Sequence, residues 1–204
     1  MAVKILARPK FDTAQLRAIP KAFSHVASYL RSQADRRINS NIPPQNRALT
    51  ERVKQGNQTL RDSGALMRSL AGHSGSLWAD CSSKLKYARI LQYGGMITAK
   101  GKALAVPMGP ETRRLMKRYG AHSPKALIDA MKADGYRFFY SPLSKVFCAV
   151  KGKGKAFALY RFQNTVTIPA RPFLHIDEKD EQYIVHYLGT EISHGLHPKK
   201  GGAP

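Results

Sequence analysis

Four histidines lie toward the C-terminal end of this chain: His175, His186, His194 and His197. The pair His194-x-x-His197 has a spacing that a metal could use, but a zinc site needs further cysteine, histidine or carboxylate donors. No cysteine or firmly placed carboxylate joins them, so no metal is expected. Cys81 and Cys148 lie far apart with no CxxC, which reads as two reduced, ordinary thiols. Cys148 sits in the apolar run Val146-Phe147-Cys148-Ala149-Val150, where a buried thiol is inert. Nucleophilic catalysis finds no GxSxG elbow, and phosphate cradles of the P-loop or GxGxxG type are absent. With 13 Asp+Glu in 204 residues, two-metal nuclease chemistry is poorly supplied. His175, Asp177 and Glu178 are the local exception, and Asp177 is better explained as a helix cap. The sequence predicts no catalytic residue, no cofactor and no enzyme.

The chemistry in good supply is cationic. Lys+Arg number 34, for a formal charge of +21. Residues 177–204 hold 3 basic and 5 acidic residues, so residues 1–176 carry +23. A field of that size concerns partners rather than fold: nucleic acid, an anionic surface or an acidic protein. Within 84–171 there are 18 basic and 3 acidic residues. Arg113, Arg114, Lys117 and Arg118 recur at helical spacing, and Lys151, Lys153 and Lys155 crown the turn KGKGK. Such rows neutralise phosphates without reading sequence, which makes these seven residues candidates to face DNA. Tyr136, Phe138, Phe139 and Tyr140 are interleaved, either as stacking platforms or as strand core. No motif of the known DNA- or RNA-reading modules is present.

These residues need elements to hold them. Leu16, Ile19, Phe23, Val26 and Leu30 mark one face of an N-terminal helix. Asp12 is placed to cap it with Gln15 three residues on, and Arg17, Lys21, Arg31, Arg36 and Arg37 lie on its outer side. Pro20 means a kink or a later start. Asn41-Ile42-Pro43-Pro44 breaks the helix. Short helices are expected near 47–55 and within LRDSGALMRSL, Leu60 to Leu70. Gly72 to Gly75 reads as a loop and Leu77–Cys81 as a strand. KYARILQYGG reads as a helical turn with Tyr87, Ile90 and Leu91 inward, closed by Gly94-Gly95. Further on come a strand at 103–107, a helix at 110–118 and another opened by Ser123-Pro124. Strands follow at 137–140, 145–151 and 155–166, then a last helix at 178–192. This predicts an α+β fold: a small, mostly antiparallel sheet flanked by an N-terminal and a C-terminal helix. Residues 1–192 form one domain with 96–165 as a basic helix/hairpin insertion, and 193–204 form a flexible tail. The N-terminus MAVKILARPKF is too short in apolar residues for a signal peptide. No run approaches the ~18–20 apolar residues of a membrane span, so no membrane partner is expected.

One segment, TIPARPFLHID from Thr167 to Asp177, stands out. Pro169 and Pro172 fix their own φ and push the residues before them toward extended geometry. They hold Arg171, a planar fork for carboxylate or carbonyl oxygens, beside the apolar Phe173. Two readings follow. The segment is an interface hot spot, or it is a rigid corner with Phe173 in the chain's own core and Arg171 bonded to its own chain; the two are compatible, with Phe173 in the core and Arg171 at a subunit boundary.

IPARPFL followed by a charged amphipathic helix resembles the end of the bacteriophage virion morphogenesis proteins, the tail-completion or neck proteins of Mu-like phages. LRDSGALMRSL resembles that family's Leu-x-Asp-Thr/Ser-Gly block, KYARILQYGG its Tyr-Ala-x-x-x-Gln-x-Gly block, and KALAVPM a short apolar strand of its members. The order is the same, over about residues 12–192. The chain departs at Ser63, where Thr is common, at His175 in place of a small residue, and in its long insertion. The resemblance implies a non-enzymatic structural protein of the virion, made in the host cytoplasm, needed for head–tail joining and assembled as a ring of six. Its partners would be copies of itself, other neck and tail proteins, and the DNA that passes through the neck. It marks Arg171, Phe173, Pro169, Pro172, Tyr87, Gln92 and Tyr93 as interface candidates. A free, sequence-nonspecific nucleic-acid-binding protein is the alternative. Whether the positive surface faces DNA or an acidic neighbouring ring is open at this level.

Overall fold

The computed structural model describes residues 13–54, 56–101 and 103–196. The chain is α+β. The expected Asp12 cap, and the tail beyond 196, lie outside the described residues. Two compact units divide the rest: 13–37, 66–85 and 173–196 in one, and 38–65 with 86–172 in the other.

The first unit is built on α1 (Thr13–Asn39) and α7 (Glu178–Leu196). Pro20 lies inside α1 rather than at its start. The predicted apolar stripe faces inward at Ile19 and Val26, and small residues, Ala22, Ala27 and Ala34, complete it. Small side chains let other backbone come close. A Cβ on Gly72 would stand 2.5 Å from the Ala27 carbonyl oxygen. Gly72 belongs to β1 (Leu70–Ser74), which pairs antiparallel with β2 (Ala79–Ser83). The expected loop at 72–75 is therefore half of a hairpin, and the strand begins two residues later than expected. Tyr183 stacks on Tyr29 at 4.2 Å between centroids, and Tyr187 stacks on His25 at the same distance.

α7 starts in a reciprocal capping box. The Asp180 amide donates to Asp177 Oδ1 at 2.9 Å, and the Asp177 amide donates to Asp180 Oδ2 at 3.2 Å, so two otherwise orphaned donors are satisfied. Glu178, Asp180 and Glu181 place negative charge at the positive end of the helix dipole. Arg37, expected on the outer basic side of α1, turns inward instead. Its Nη1 donates to the His175 carbonyl at 2.8 Å, and its Nη2 pairs with Asp177 at 2.9 Å and with Asp180. Tyr29 Oη donates to Asp180 Oδ1 at 2.8 Å. Burial pushes the Asp180 carboxyl up, yet the bonds from Arg37, Tyr29 and the Asp177 amide outweigh it and hold it below the ordinary value. The helix expected to stop at Ile192 continues to Leu196.

The second unit carries residues 96–165. β4 (Leu104–Pro107), β5 (Tyr136–Ser141), β6 (Val146–Lys151) and β7 (Phe157–Gln163) form an antiparallel sheet in the order β4-β7-β6-β5. The predicted KGKGK turn joins β6 to β7. α5 (Pro110–Arg118) and α6 (Pro124–Ala133) pack on this sheet around Leu115, Leu127, Met131, Ala149, Leu159 and Tyr160. Each helix starts with Pro at its first turn, and Ser123 Oγ accepts from the Ala126 amide at 3.1 Å as the cap of α6. Thr112 is wholly buried; its hydroxyl donates to the Leu159 carbonyl at 2.9 Å and ties α5 to β7. The long strand expected over 155–166 breaks at Asn164, and its end becomes β8 (Thr165–Ile168). β8 pairs antiparallel with β3 (Gly95–Thr98), a strand the sequence reading did not separate from the preceding helix. The strands thus form three antiparallel sheets rather than one. The same unit holds α2 (Ala48–Lys54); α3 (Ala65–Arg68) is shorter than expected.

Candidate functional site

Arg171 sits at the centre of a small network within the second unit. Its amide donates to the Leu91 carbonyl at 2.8 Å, at the end of α4 (Ala88–Tyr93). Its guanidinium reaches the loop after α1. Nε donates to the Pro44 carbonyl at 2.9 Å, and Nη2 lies 3.4 Å from the Gln45 carbonyl and 3.5 Å from Asn46 Oδ1. The Pro43–Pro44 bond in that loop is cis. Arg171 is 6% exposed and Phe173 is fully buried. The fork grips carbonyls of its own chain, as the rigid-corner reading has it, and the interface reading is not thereby decided. Burial alone pulls the Arg171 pKa below the ordinary arginine value, and an arginine stays charged even so. Neutral carbonyl dipoles, not a carboxylate, compensate the charge. Pro169 is half-buried and Pro172 exposed.

A second clamp adjoins the first. Gly94 has φ +68°, and a Cβ there would lie 2.6 Å from the Ala170 amide nitrogen and 3.0 Å from the Ile168 carbonyl oxygen. Both its dihedral and the close approach of backbone require glycine. The end of α4 is therefore held against 168–171 from two sides.

α4 presents its residues differently from the expected register. Ala88 and Gln92 are buried, four apart on one face, while Ile90 and Leu91 are half-buried. Tyr87, expected inward, is exposed, and Tyr93 is 74% exposed. Met96, at 64%, and Ile97, in β3, are likewise exposed. Sequence reasoning missed these two. The missed signal was the uncharged run Ile90–Ala99, which is longer than the helix needs.

The seven cations named as candidates to face DNA differ in what they bind within the chain. Arg113 is bound bidentately to Asp62, at 3.0 and 2.6 Å. That bond, outweighing burial, holds the Asp62 carboxyl below its usual value. Arg114 pairs with Glu111 of its own helix at 3.4 Å. Arg118 lies over the Tyr119 ring, 5.7 Å from its centroid. The Tyr119 hydroxyl donates to Asp134 Oδ2, which with burial pushes the Tyr119 pKa up to about 12. Lys151 pairs with the same carboxylate at 2.9 Å and covers the Tyr136 ring at 5.2 Å. Arg137 Nη2 donates to the Gly152 carbonyl at 3.4 Å. One end of the four-stranded sheet thus gathers Arg118 and Lys151 about Asp134, with Arg137 bonded to the backbone of the adjoining turn and Lys153 and Lys155 exposed on it. Arg137 was missed by the sequence reading; in the β5–β6 register it stands opposite Val150, next to the pair Tyr136–Lys151. Lys117 is exposed on α5.

Among the described residues no three His, Cys, Asp or Glu gather as metal ligands, and no helix is long and apolar enough to cross a membrane. The model of the phage virion morphogenesis family matches residues 12–119. The chain belongs to the phage virion morphogenesis family. The match takes in LRDSGALMRSL, KYARILQYGG and KALAVPM and stops before IPARPFL. No curated protein and no solved structure matches the chain.

Proposed function

We propose that this member of the phage virion morphogenesis family is a non-enzymatic tail-completion or neck subunit that assembles as a ring and lets heads and tails join. The observation that carries this reading is family membership over 12–119. The exposed large apolar side chains Tyr87, Tyr93, Met96 and Ile97, close in sequence, support it, because exposed apolar side chains are what an interaction site supplies. The Arg171 and Gly94 clamps support it too. They hold that stretch rigidly on the chain, and a docking surface fixed in advance loses less entropy on assembly. The test is genetic and physical. A phage lacking this protein should accumulate filled heads and complete-length tails that stay apart, and adding purified protein should restore joined particles. Normal joined virions from the deletion would overturn the reading.

A second reading, sequence-nonspecific binding of nucleic acid, draws on the cationic end of the four-stranded sheet. It is compatible with the first, since a neck subunit meets the DNA that passes through it.

A further inference from the structure

β3 and β8 stand apart from the four-stranded sheet. They pair antiparallel with each other and, among the described residues, with no other strand. No other backbone hydrogen bond leaves either strand within its span. The result is a ribbon of two strands with two open edges. An isolated two-stranded ribbon is marginal in water, and an open edge is a template for another strand.

Natural edges are defended by lysine, proline, a bulge or an inward charge. This ribbon has none of these. Its strands read GMIT and TVTI, its register runs without a shift, and all four β3 residues are exposed. The flanking runs 90–99 and 162–170 also lack any Lys, Arg, Asp or Glu, in a chain of +21. Two like-charged copies repel least where neither carries charge. The same neutrality offers nothing to a phosphate backbone, so a second copy fits this edge better than nucleic acid does.

We propose that the open β3 edge of one copy hydrogen-bonds to the open β8 edge of the next, joining the ribbons into one continuous antiparallel sheet that runs around the assembly. The strand directions are consistent with a ring. β3 and β8 run oppositely, so an antiparallel join of β8 to the neighbour's β3 gives that neighbour the same orientation as the first. Every copy then points the same way, as cyclic symmetry demands. The two edges differ, so the join is heterologous, the type that closes into rings. Pairing of β3 with β3 would instead give a two-fold dimer that stops at two. Closure rests on the ring reading above.

Two chains with one accessible cysteine each test this, both in a Cys81→Ser background that keeps the buried Cys148: one with Ile97→Cys and one with Val166→Cys. Those positions face each other within a single chain, so each chain carries only one of them and cannot link to itself. The two are co-expressed and treated with a short bismaleimide, which tolerates an offset in register. A covalent dimer from the pair, with little from either chain alone, is the expected result. A dimer formed from Ile97→Cys alone as readily as from the pair, or none from the pair, would overturn the edge join. Sedimentation of the parent chain separates the two failures. An oligomeric parent without the cross-link removes the edge join and leaves the ring reading standing; a parent that stays monomeric at every concentration removes both. Met96→Lys with Thr98→Lys, which charges the edge, should lose the oligomer while far-ultraviolet circular dichroism stays unchanged. An oligomer retained in that variant would also count against the proposal.

Discussion

Arg171 shows how a side chain finds partners that no local pattern signals. From the sequence, two prolines around one arginine were consistent with docking and with an internal corner, because proline restricts the backbone but says nothing about which oxygens the fork meets. Within the chain the guanidinium ends on Pro44, Gln45 and Asn46, far away in sequence. Such a side chain should matter first to stability. Removing it takes the charged donor from the Pro44 and Gln45 carbonyls and leaves a gap where the buried side chain lay, so Arg171→Ala should cost about 1–3 kcal/mol. Arg171→Lys should recover only part of this, since an ammonium cannot span the acceptors as a fork does. Urea unfolding is the measurement. A parental midpoint for Arg171→Ala combined with failed assembly would return the residue to the interface reading.

At the scale of elements, the sequence was most legible where punctuation was strong. Ser123-Pro124 opens α6, Pro110 opens α5 and KGKGK turns β6 into β7, each by a local mechanism that tertiary structure did not override. Prediction was weaker where periodicity had to choose a face over few residues. α4 is six residues long, and one step of rotation moved Tyr87 out and Gln92 in. β3 was hidden because GMIT follows a helix directly, with only Gly94 between. That glycine is testable. Gly94→Ala would force a positive φ on a side chain and drive a methyl into the 168–170 backbone, so a loss on the order of 2–4 kcal/mol is expected. A thermal unfolding midpoint within a degree of the parent would refute the clamp. The α7 capping box carries a pH signature. Asp180 has a folded pKa held below its unfolded value of about 3.9. Its stabilisation is therefore complete above that value and is lost as pH falls through the lower, folded one. Asp180→Asn should reduce stability at neutral pH by about 1–3 kcal/mol and flatten the fall in stability below pH ~4. A parental acid-unfolding profile would show that the carboxylate does not hold the helix start.

For the molecule as a whole, the charge of +21 is the property most visible in the sequence and least informative about where it acts. Composition gave its size and the 84–171 segment its approximate home. Only the sheet register and the ion pairs show which cations are spent within the chain. Arg113 is committed to Asp62 and Arg114 leans on Glu111, so neither should respond strongly to an external polyanion. Lys153 and Lys155, on an exposed turn, have no ion-pair partner among the described residues, and they adjoin Arg118, Arg137 and Lys151. If the sheet end meets DNA, each lysine that neutralises a phosphate releases counterions, and the logarithm of affinity falls with that of salt by about 0.9 per contact. Lys153→Ala with Lys155→Ala should then weaken binding to duplex DNA and make the salt slope shallower by about 2. Arg114→Ala should leave the slope within error of the parent. Fluorescence anisotropy with a short duplex across a salt series reads both. An unchanged slope in the double variant, or an equal change from Arg114→Ala, would mean that the positive field acts diffusely and that this end of the sheet is not where nucleic acid meets the subunit.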